Sequence, residues 1–380
     1  MYTRRALMTT AITTALAAPL AAARRAQEGS EVLEQVVVFR SGEHGYHTFR
    51  IPAIVRTRAG DLLALAEARR HAAADAGDID LVSRRSADGG RTWAPMQVIG
   101  DDGPDTFGNP CVVVDRDTGV LWLFVIRTTG SDKEHAIIAG KSRSRPRPWL
   151  LRSDDDGRTW SAPVDLTSSL TRPDWTWYSL GPGIGIQARD GRLVVPGNHA
   201  LETSGVHRSH LVFSEDHGTS WHLGASATDG TNESQVVELS DGRLLHNMRN
   251  HPPKPDGNYR VVATSADGGR TLRDVTEDRS LVEPPAQASI LAVPQDGGGR
   301  PLIVFSNPAS TRRERMTVRV SDDDARTWRV SKVVHAGPAA YSCLVDLGGD
   351  VGVLYECGKE SAYETITFAR LPRRWLLGQP

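Results

Sequence analysis

Short apolar runs alternate with polar turns along most of this 380-residue chain. Four of them occur before residue 86, at Val36–Phe39, Ile51–Val55, Leu62–Ala66 and Ile79–Val82. Apolar runs of four or five residues bounded by turn residues are typical of β-strands, and four in succession match one antiparallel sheet. After residue 28, no long stretch combines a helical repeat of apolar positions with capping residues. The pattern therefore predicts an all-β fold.

An eight-residue turn phrase, Ser-x-Asp-x-Gly-x-Thr-Trp, separates successive groups of runs. Two copies are complete, at Ser86–Trp93 and Ser153–Trp160. Three further copies each differ at one position: Ser214–Trp221 (Ser220 for Thr), Ser265–Leu272 (Leu272 for Trp) and Ser321–Trp328 (Ala325 for Gly). The Asp side chain can accept backbone N–H groups a few residues on, and Gly permits a left-handed backbone, so the phrase predicts a hairpin turn.

The copies follow one another at nearly regular intervals of 67, 61, 51 and 56 residues, counted from Ser86 to Ser153, Ser214, Ser265 and Ser321. The phrase resembles the Asp box of β-propeller proteins, and an interval near fifty residues suits one four-stranded blade. Six blades of about 57 residues would fill the chain after its first 28 residues. We therefore expect a single six-bladed β-propeller over residues 29–380.

Residues 1–28 have the features of an export signal. Arg4 and Arg5 form a charged head, Ala6–Ala23 is a mildly apolar run, and small residues end it. The adjacent arginines favour the twin-arginine route over the general secretory route, and a disordered N-terminal tail is the alternative. A membrane span is not expected, because Arg24 and Arg25 follow and threonines interrupt the run. We expect a secreted, monomeric protein.

Charge and cysteine content exclude several classes of function. The formal net charge is −1, which argues against nucleic acid or an anionic membrane as the main partner. Three cysteines are too few for a disulfide framework, and no spacing of His and Cys suggests a structural metal. We expect neither a metal nor a cofactor.

The phrase Phe49-Arg50-Ile51-Pro52 introduces more specific chemistry. It resembles the (F/Y)RIP motif of the exo-α-sialidases (neuraminidases), which carry Asp boxes. Further matches follow in the family's order: Glu67-Ala68-Arg69, Gly108-Asn109-Pro110, Gly181–Gln187, Glu233-Ser234-Gln235, Asn247–Asn250, Arg313 before Met316–Arg319, Tyr341-Ser342 and Leu354-Tyr355-Glu356. The resemblance covers residues 29–380 almost completely. It implies hydrolysis of terminal α-linked sialic acids on glycoproteins, glycolipids or oligosaccharides.

Three arginines are the candidate binding groups for an anion. Arg50, Arg249 and Arg313 lie far apart in sequence, but a propeller brings the inner strands of all its blades to one central mouth. Three converging guanidinium groups repel each other unless an anion compensates them, and each can pair with a carboxylate at two points. The resemblance implies that this anion is the C1 carboxylate of a sialic acid. Arg312 and Arg315 remain alternatives to Arg313.

Tyr341 and Glu233 form the candidate nucleophile and its base, by the same resemblance. A carboxylate nucleophile would approach the anomeric carbon of sialic acid against the like charge of the substrate carboxylate, whereas a neutral phenol avoids that repulsion. A phenol has a reference pKa of about 10, so it needs a base beside it to attack near neutral pH. Glu233 is the acidic residue that matches the family's glutamate.

Asp75 is the candidate acid/base, which would protonate the departing oxygen and then deprotonate the incoming water. It lies 25 residues after Arg50, in a loop that matches the family's pattern. Asp78 and Asp80 share that loop and are the competing candidates. Three supporting residues complete the set: Glu356 is expected to hold the Arg50 guanidinium, and Arg69 and Asn109 are expected to help hold the substrate.

Two other functions use related features. A trans-sialidase or intramolecular trans-sialidase would share the whole set of residues. A non-catalytic Asp-box propeller that binds glycans would share only the fold, since a fold does not fix a function. The complete set of arginines, aspartate, glutamate and tyrosine favours a retaining exo-α-sialidase over the binding module.

Overall fold

The computed structural model describes residues 33–252, 254, 257–295 and 297–379. The expected export signal, residues 1–28, lies outside these residues and stays a prediction. The hydrogen-bonded sheets divide into six antiparallel blades of four main strands each. Each blade runs from an inner strand outward, as the regular spacing of the turn phrase predicted.

The first three blades follow one another along the chain. After β1 (Gln35–Arg40), blade 1 contains β2 (Thr48–Arg56), β3 (Leu62–Arg69), β4 (Ile79–Ser86) and β5 (Gln97–Gly100). Blade 2 contains β6 (Thr106–Val114), β7 (Leu121–Thr128), α1 (Glu134–Ile138), β8 (Arg147–Ser153) and β9 (Val164–Asp165). Blade 3 follows α2 (Thr167–Leu170) and begins with β10 (Trp175–Leu180), after which the short β11 (Gly183–Ile184) pairs parallel with β6 of blade 2. Blade 3 continues with the short β12 (Ile186–Gln187), β13 (Leu193–Leu201), β14 (His207–Ser214) and β15 (His222–Ser226).

The last three blades complete the ring. Blade 4 contains β16 (Thr231–Glu238), β17 (Leu244–Asn250), β18 (Asn258–Ser265) and β19 (Arg273–Glu283). Blade 5 contains β20 (Ser289–Val293), β21 (Leu302–Pro308), β22 (Glu314–Ser321) and the first half of β23 (Val330–Asp346). Blade 6 contains the second half of β23, β24 (Val351–Cys357) and β25 (Thr365–Leu371), and α3 (Arg373–Leu376) follows it.

Two pairings close the ring. The bent strand β23 pairs with β22 through Val330 and with β24 through Ser342, so it belongs to blades 5 and 6 at once. Strand β1 pairs antiparallel with β25, with Gln35 opposite Ala369, and supplies the fourth strand of blade 6. The inner strands β2 and β23 are also in contact. The prediction of an all-β, six-bladed propeller is confirmed.

Apolar side chains fill the space between the blades. Every residue of β3 and β24 is buried, as expected for strands covered on both faces by neighbouring blades. Cys111, Cys343 and Cys357 are buried and unbridged. The three short helices of the described residues have neither the length nor the apolar composition needed to cross a membrane.

All five Asp boxes form the same hydrogen-bonded turn between the third and fourth strands of a blade. In the first, Asp88 Oδ1 accepts the N–H of Thr92 at 2.9 Å and Asp88 Oδ2 accepts its hydroxyl at 2.6 Å. Ser220 replaces Thr in the third box and keeps the same bond to Asp216, also at 2.6 Å. Ala325 occupies the glycine position of the fifth box with φ +62°, a left-handed conformation that disfavours a Cβ.

The antiparallel order of strands gives the ring two distinct faces. Inner strands begin and second strands end at one face, here called the upper face. Third strands end at the other, the lower face, which therefore carries the Asp boxes. The lower face also holds a cavity of about 660 Å³, lined by the C-terminal parts of inner strands, including Val55, Val114 and Val345.

Candidate active site

The strand order brings the predicted residues to the upper face. Arg50, Glu233 and Tyr341 lie near the starts of the inner-strand segments of blades 1, 4 and 6. Arg249 and Glu356 lie at the ends of second strands, which reach the same face. Loops between second and third strands add Asp75 and Arg313. Residues that are up to 306 positions apart thus meet at one mouth.

Tyr341, Glu233 and Arg249 form a hydrogen-bonded cluster. The Tyr341 hydroxyl donates to Glu233 Oε1 at 2.5 Å, and Arg249 Nη1 donates to Glu233 Oε2 at 2.6 Å. Arg249 Nη1 also lies 3.5 Å from the Tyr341 oxygen. Burial and the Glu233 charge raise the pKa of Tyr341, while the nearby arginines oppose that rise. The phenol is therefore protonated at neutral pH, with a carboxylate already in place to accept its proton.

Arg50 is buried and held by Glu356. Its Nε and Nη2 donate to the two Glu356 oxygens at 3.1 and 3.2 Å, a two-point pairing. The same carboxylate accepts the backbone N–H groups of Ile51 at 2.9 Å and Tyr341 at 3.1 Å. Burial of the guanidinium is offset by Glu356 and the surrounding groups, which raise the pKa of Arg50. Glu356 therefore fixes Arg50 and the backbone at Tyr341 together.

Arg313 is the member of its arginine-rich loop that faces the site. Its guanidinium carbon lies 5.5 Å from the centre of the Tyr341 ring, and its Nη2 donates to the Pro285 carbonyl at 2.7 Å. Arg312 pairs with Glu314, and its side chain is 79% exposed. Arg315 is exposed as well. Of the three candidates, the structure places only Arg313 beside Tyr341.

Tyr363 is a site residue that no sequence motif indicated. Its ring lies 4.3 Å below the Arg50 guanidinium carbon, and its hydroxyl accepts a hydrogen bond from Arg313 Nη1. It lies in the turn between β24 and β25, seven positions after Glu356, where no quoted phrase extends. Tyr363 therefore links two of the three arginines.

Asp75 reaches the site from the loop between β3 and β4. Its Oδ1 lies 2.7 Å from Arg69 Nη1 and 3.3 Å from Arg50 Nη1. Although partial burial opposes ionisation, the charges of Arg69 and Arg50 lower the pKa of Asp75. The side chain is 68% exposed, so it also faces the solvent side of the mouth.

The two competing aspartates are engaged elsewhere. Asp80 is buried and accepts hydrogen bonds from Tyr46 at 2.5 Å and Arg70 at 2.6 Å. Asp78 pairs with Arg70 at 3.4 Å. Of the three acids, of which Asp80 lies in β4 rather than in the loop, Asp75 is the one in contact with Arg50.

Glu67, within the phrase Glu67-Ala68-Arg69, organises the two remaining predicted residues. Its Oε2 accepts from Arg69 at 2.7 Å, and its Oε1 accepts the N–H of Asn109 at 2.8 Å. The Asn109 amide donates to the Leu180 carbonyl at 2.8 Å and to the Ser179 hydroxyl. The amide donors of Asn109 are thus used to join β6 to β10.

One group in the described part of the chain has the geometry of metal ligands. Atoms of Asp115, Asp117 and His217 lie within 4.8 Å of one another near the lower face. However, the Gln187 amide donates to Asp115 at 3.0 Å and to Asp117 at 2.9 Å, and His217 hydrogen-bonds Asp115 at 2.9 Å. Gln187 and His217 belong to blade 3, so these bonds join blades 2 and 3.

Comparison with known proteins matches this geometry to a family. A family model described as a BNR repeat-like domain matches residues 60–366. The sialidase of Micromonospora viridifaciens is 36% identical over 356 residues, covering 87% of this chain and 53% of that protein. The exo-alpha-sialidase of Aspergillus fumigatus is 34% identical over 371 residues, covering 88% of this chain and 86% of that protein. The chain belongs to the sialidase family.

A solved structure supports the same assignment. The Hadza microbial sialidase Hz136 has a TM-score of 0.80 and 34% identity, covering 89% of this chain and 68% of that one. The family resemblance inferred from the Asp boxes and the FRIP phrase is confirmed. The chain spans about half the length of the Micromonospora sialidase. In this chain, the residues matched by the family model lie within the six blades described above.

Proposed function

We propose that this protein is a retaining exo-α-sialidase that releases terminal α-linked sialic acids through a tyrosine nucleophile. The observation that carries the proposal is the 2.5 Å hydrogen bond from Tyr341 to Glu233, surrounded by Arg50, Arg249 and Arg313. A phenol paired with a carboxylate is an activated nucleophile, and three guanidinium groups around it favour an anionic substrate. Sialylated glycoproteins, glycolipids or oligosaccharides fit this requirement.

The arginines would bind the C1 carboxylate of the sialic acid. Arg50, Arg249 and Arg313 approach Tyr341 from three blades, which would place the anomeric carbon next to the phenol oxygen. In the first step, Tyr341 attacks that carbon as Glu233 takes the phenol proton. The bond to the aglycone oxygen breaks as Asp75 protonates it. In the second step, water deprotonated by Asp75 displaces Tyr341, whose oxygen regains the proton from Glu233.

Substrate binding would also change the pKa of Asp75, the proposed acid. In the ligand-free site, Arg69 and Arg50 lower the pKa of Asp75, which favours the carboxylate over the proton donor. A substrate carboxylate bound to Arg50 compensates part of that positive charge and so raises the pKa of Asp75. A larger fraction of Asp75 would then be protonated, and so able to donate a proton, once the substrate is bound.

The test is the release of sialic acid from a fluorogenic α-sialoside, followed by proton NMR of the first sugar product. We expect α-sialic acid first, because two displacements preserve the anomeric configuration. First formation of β-sialic acid would contradict the tyrosine mechanism, and no release would contradict the enzyme assignment. A 2,7-anhydro product or transfer to added lactose would identify the intramolecular trans-sialidase or trans-sialidase alternative.

Export and secretion remain part of the proposal, since sialylated glycoconjugates lie outside cells. If residues 1–28 act as a signal, the exported protein should begin between Ala23 and Ser30. N-terminal sequencing of the protein from an exporting bacterial host checks this. An intact Met1 on the active protein would contradict it.

A further inference from the structure

A third carboxylate lies on the upper face, in blade 2. Glu134 begins helix α1, which lies in the connection between β7 and β8. That connection joins the second and third strands of its blade, as the Asp75 loop does in blade 1 and the Arg313 loop does in blade 5. All three connections therefore lie on the upper face, around the same mouth.

The connection that carries Glu134 packs directly on the loop that carries Asp75. A Cβ added at Gly130 would lie 2.9 Å from the Gly77 carbonyl oxygen and 2.0 Å from that of Pro104, so the two backbones are in close contact. The Gly130 N–H donates to Asp105 at 2.8 Å. On its other side, α1 accepts a hydrogen bond from Thr176 of β10 at the Ile138 carbonyl, at 3.1 Å. Helix α1 is therefore fixed between the Asp75 loop and blade 3.

Glu134 differs from the other two carboxylates in having no counter-ion. Glu233 pairs with Arg249 at 2.6 Å, and Asp75 pairs with Arg69 at 2.7 Å. Among the described residues, the Glu134 carboxylate has no ion-pair or hydrogen-bond partner. Glu134 is exposed to solvent, yet partial desolvation together with the charges of Glu233 and Asp75 raises the pKa of Glu134, while Arg249 opposes the rise. In its ionised form, Glu134 is therefore a negative charge without a counter-ion on the upper face.

We propose that Glu134 makes the enzyme select sialosides whose next residue is uncharged. The inference rests on the proposed function, in which Asp75 protonates the aglycone oxygen. The aglycone then leaves past the Asp75 loop, beside which α1 lies. A neutral sugar there offers hydroxyl donors to the Glu134 carboxylate. A second sialic acid, as in an α2,8-linked disialoside, brings its own carboxylate toward an uncompensated like charge.

The experiment compares kcat/KM for 3′-sialyllactose with kcat/KM for an α2,8-linked disialic acid. The proteins are the wild type, Glu134→Gln and Glu134→Lys. Glu215→Gln is the matched control, because it removes the same charge from an Asp box on the lower face. At low ionic strength we expect Glu134→Gln to raise the ratio of disialic acid to sialyllactose turnover about three- to tenfold. Glu134→Lys should raise it further, and the control should leave it unchanged.

The salt dependence and the wild-type rates distinguish a failure of the Glu134 proposal from a failure of the proposed function. The effect should shrink in 0.5 M salt, because exposed charges are then screened within about 4 Å. An unchanged ratio in both Glu134 variants, or equal changes for both substrates, would overturn the role of Glu134 while leaving the proposed function intact. A wild-type protein that cleaves neither substrate would overturn the proposed function itself, and the inference with it.

Discussion

The Tyr341 hydroxyl and the Glu233 carboxylate lie 2.5 Å apart although they come from different blades, 108 positions apart in the chain. Tyr341 begins the blade-6 half of β23, and Glu233 lies at the start of β16 in blade 4. Burial raises the pKa of the phenol, so it cannot be a free phenolate at neutral pH. In the proposed mechanism, Glu233 therefore removes the proton as the oxygen forms its new bond.

Trapping the intermediate distinguishes the nucleophile from its base. A 3-fluorinated sialosyl fluoride forms a long-lived adduct when the fluorine slows both steps and the reactive leaving group rescues only the first. We expect mass spectrometry of the digested wild type to show the label on Tyr341, and Tyr341→Phe to form no adduct. Glu233→Gln should form it more slowly, since the phenol loses its base. A label on any other residue would contradict the nucleophile assignment.

Arg249, which we propose binds the substrate, can be compared with Arg260, which is buried within the fold. Arg249 lies at the mouth, and among the described residues its Nε has no hydrogen-bond partner. We expect Arg249→Ala to weaken substrate binding by about 1.5–3 kcal/mol, or roughly 10- to 150-fold in KM, because a charged hydrogen bond is lost. The melting temperature of the Arg249→Ala variant should change little.

Arg260 is the matched control, since it is fully buried and pairs with Glu283 at 2.6 Å. Arg260→Ala should cost roughly 3–5 kcal/mol of folding stability, because it leaves a buried carboxylate unpaired. Thermal unfolding and steady-state kinetics on both variants check this. An Arg249→Ala protein that melts much earlier but keeps its KM would show that Arg249 is structural.

The sequence predicted the blade repeat and a set of candidate site residues. It did not predict which of these residues contact one another. Asp boxes are local phrases, because the Ser and Asp hydrogen bonds that shape the turn join residues within four positions. Their spacing was therefore readable as a blade repeat. The sequence could not predict the closure by β1 and β25 or the bend in β23, because these depend on pairing between distant strands.

Sequence analysis also missed residues of the mouth that have no motif of their own, because their positions depend on contacts between distant strands. Tyr363 contacts Arg50 and Arg313 only because three blades converge there. Glu134 lies in a connection whose sequence resembles an ordinary charged turn. Its position is set by contacts with the Asp75 loop and β10. Asp75 was preferred over Asp78 and Asp80 by resemblance alone, and only the structure shows its contact with Arg50.

Buried histidines between blades 3 and 4 predict loss of stability in mild acid. Burial, with positive neighbours adding to it, lowers the pKa of His207 to about 4 and of His199 and His246 to about 3. Above pH 6.5 the folded and unfolded chains both hold these imidazoles neutral, so they contribute no pH dependence. As the pH falls from 6.5 toward 4, the unfolded chain binds protons that the fold excludes, and stability decreases.

Each such histidine costs up to about 1.4 kcal/mol per pH unit within this window. We expect melting temperatures to fall steadily between pH 6.5 and 5, above the range where most carboxylates titrate. His246→Gln should reduce the slope, because Gln can still hydrogen-bond the Ser234 hydroxyl that His246 contacts at 2.8 Å but does not titrate. A constant melting temperature over this range would contradict the prediction.

The left-handed backbone conformation at Ala325 predicts that replacing this residue by glycine stabilises the fold. Ala325 takes φ +62° at a position where the other boxes have glycine, among them Gly218 at φ +87°. Ala325→Gly should stabilise the fold by about 1 kcal/mol, because a left-handed conformation is strained for alanine. The reverse change, Gly218→Ala, should destabilise it, because the new Cβ would lie 2.2 Å from the Trp122 ring. Thermal unfolding of both variants at pH 7 measures the two effects, and a lower melting temperature for Ala325→Gly would contradict the strain.

The proposed role of Asp75 as proton donor predicts that the effect of removing it depends on the leaving group. As the proton donor, it should matter most when the departing oxygen is basic. Asp75→Ala should therefore lower kcat/KM on 3′-sialyllactose by about 10²- to 10⁴-fold, but far less on an aryl sialoside whose phenol leaves unassisted. Asp75→Asn, which can still occupy the space beside Arg69, is the matched control for the loss of the side chain. It should show the same leaving-group dependence if proton donation is the role.

Comparing kcat/KM for the two substrate classes separates this role from binding. A residue that only holds the substrate would lower kcat/KM equally for both, since both carry the same sialic acid. Equal losses in Asp75→Ala, or full activity of Asp75→Asn on sialyllactose, would exclude Asp75 as the acid. Asp78→Ala and Asp80→Ala would then need the same comparison. Their contacts with Arg70 and Tyr46 predict changes in stability instead.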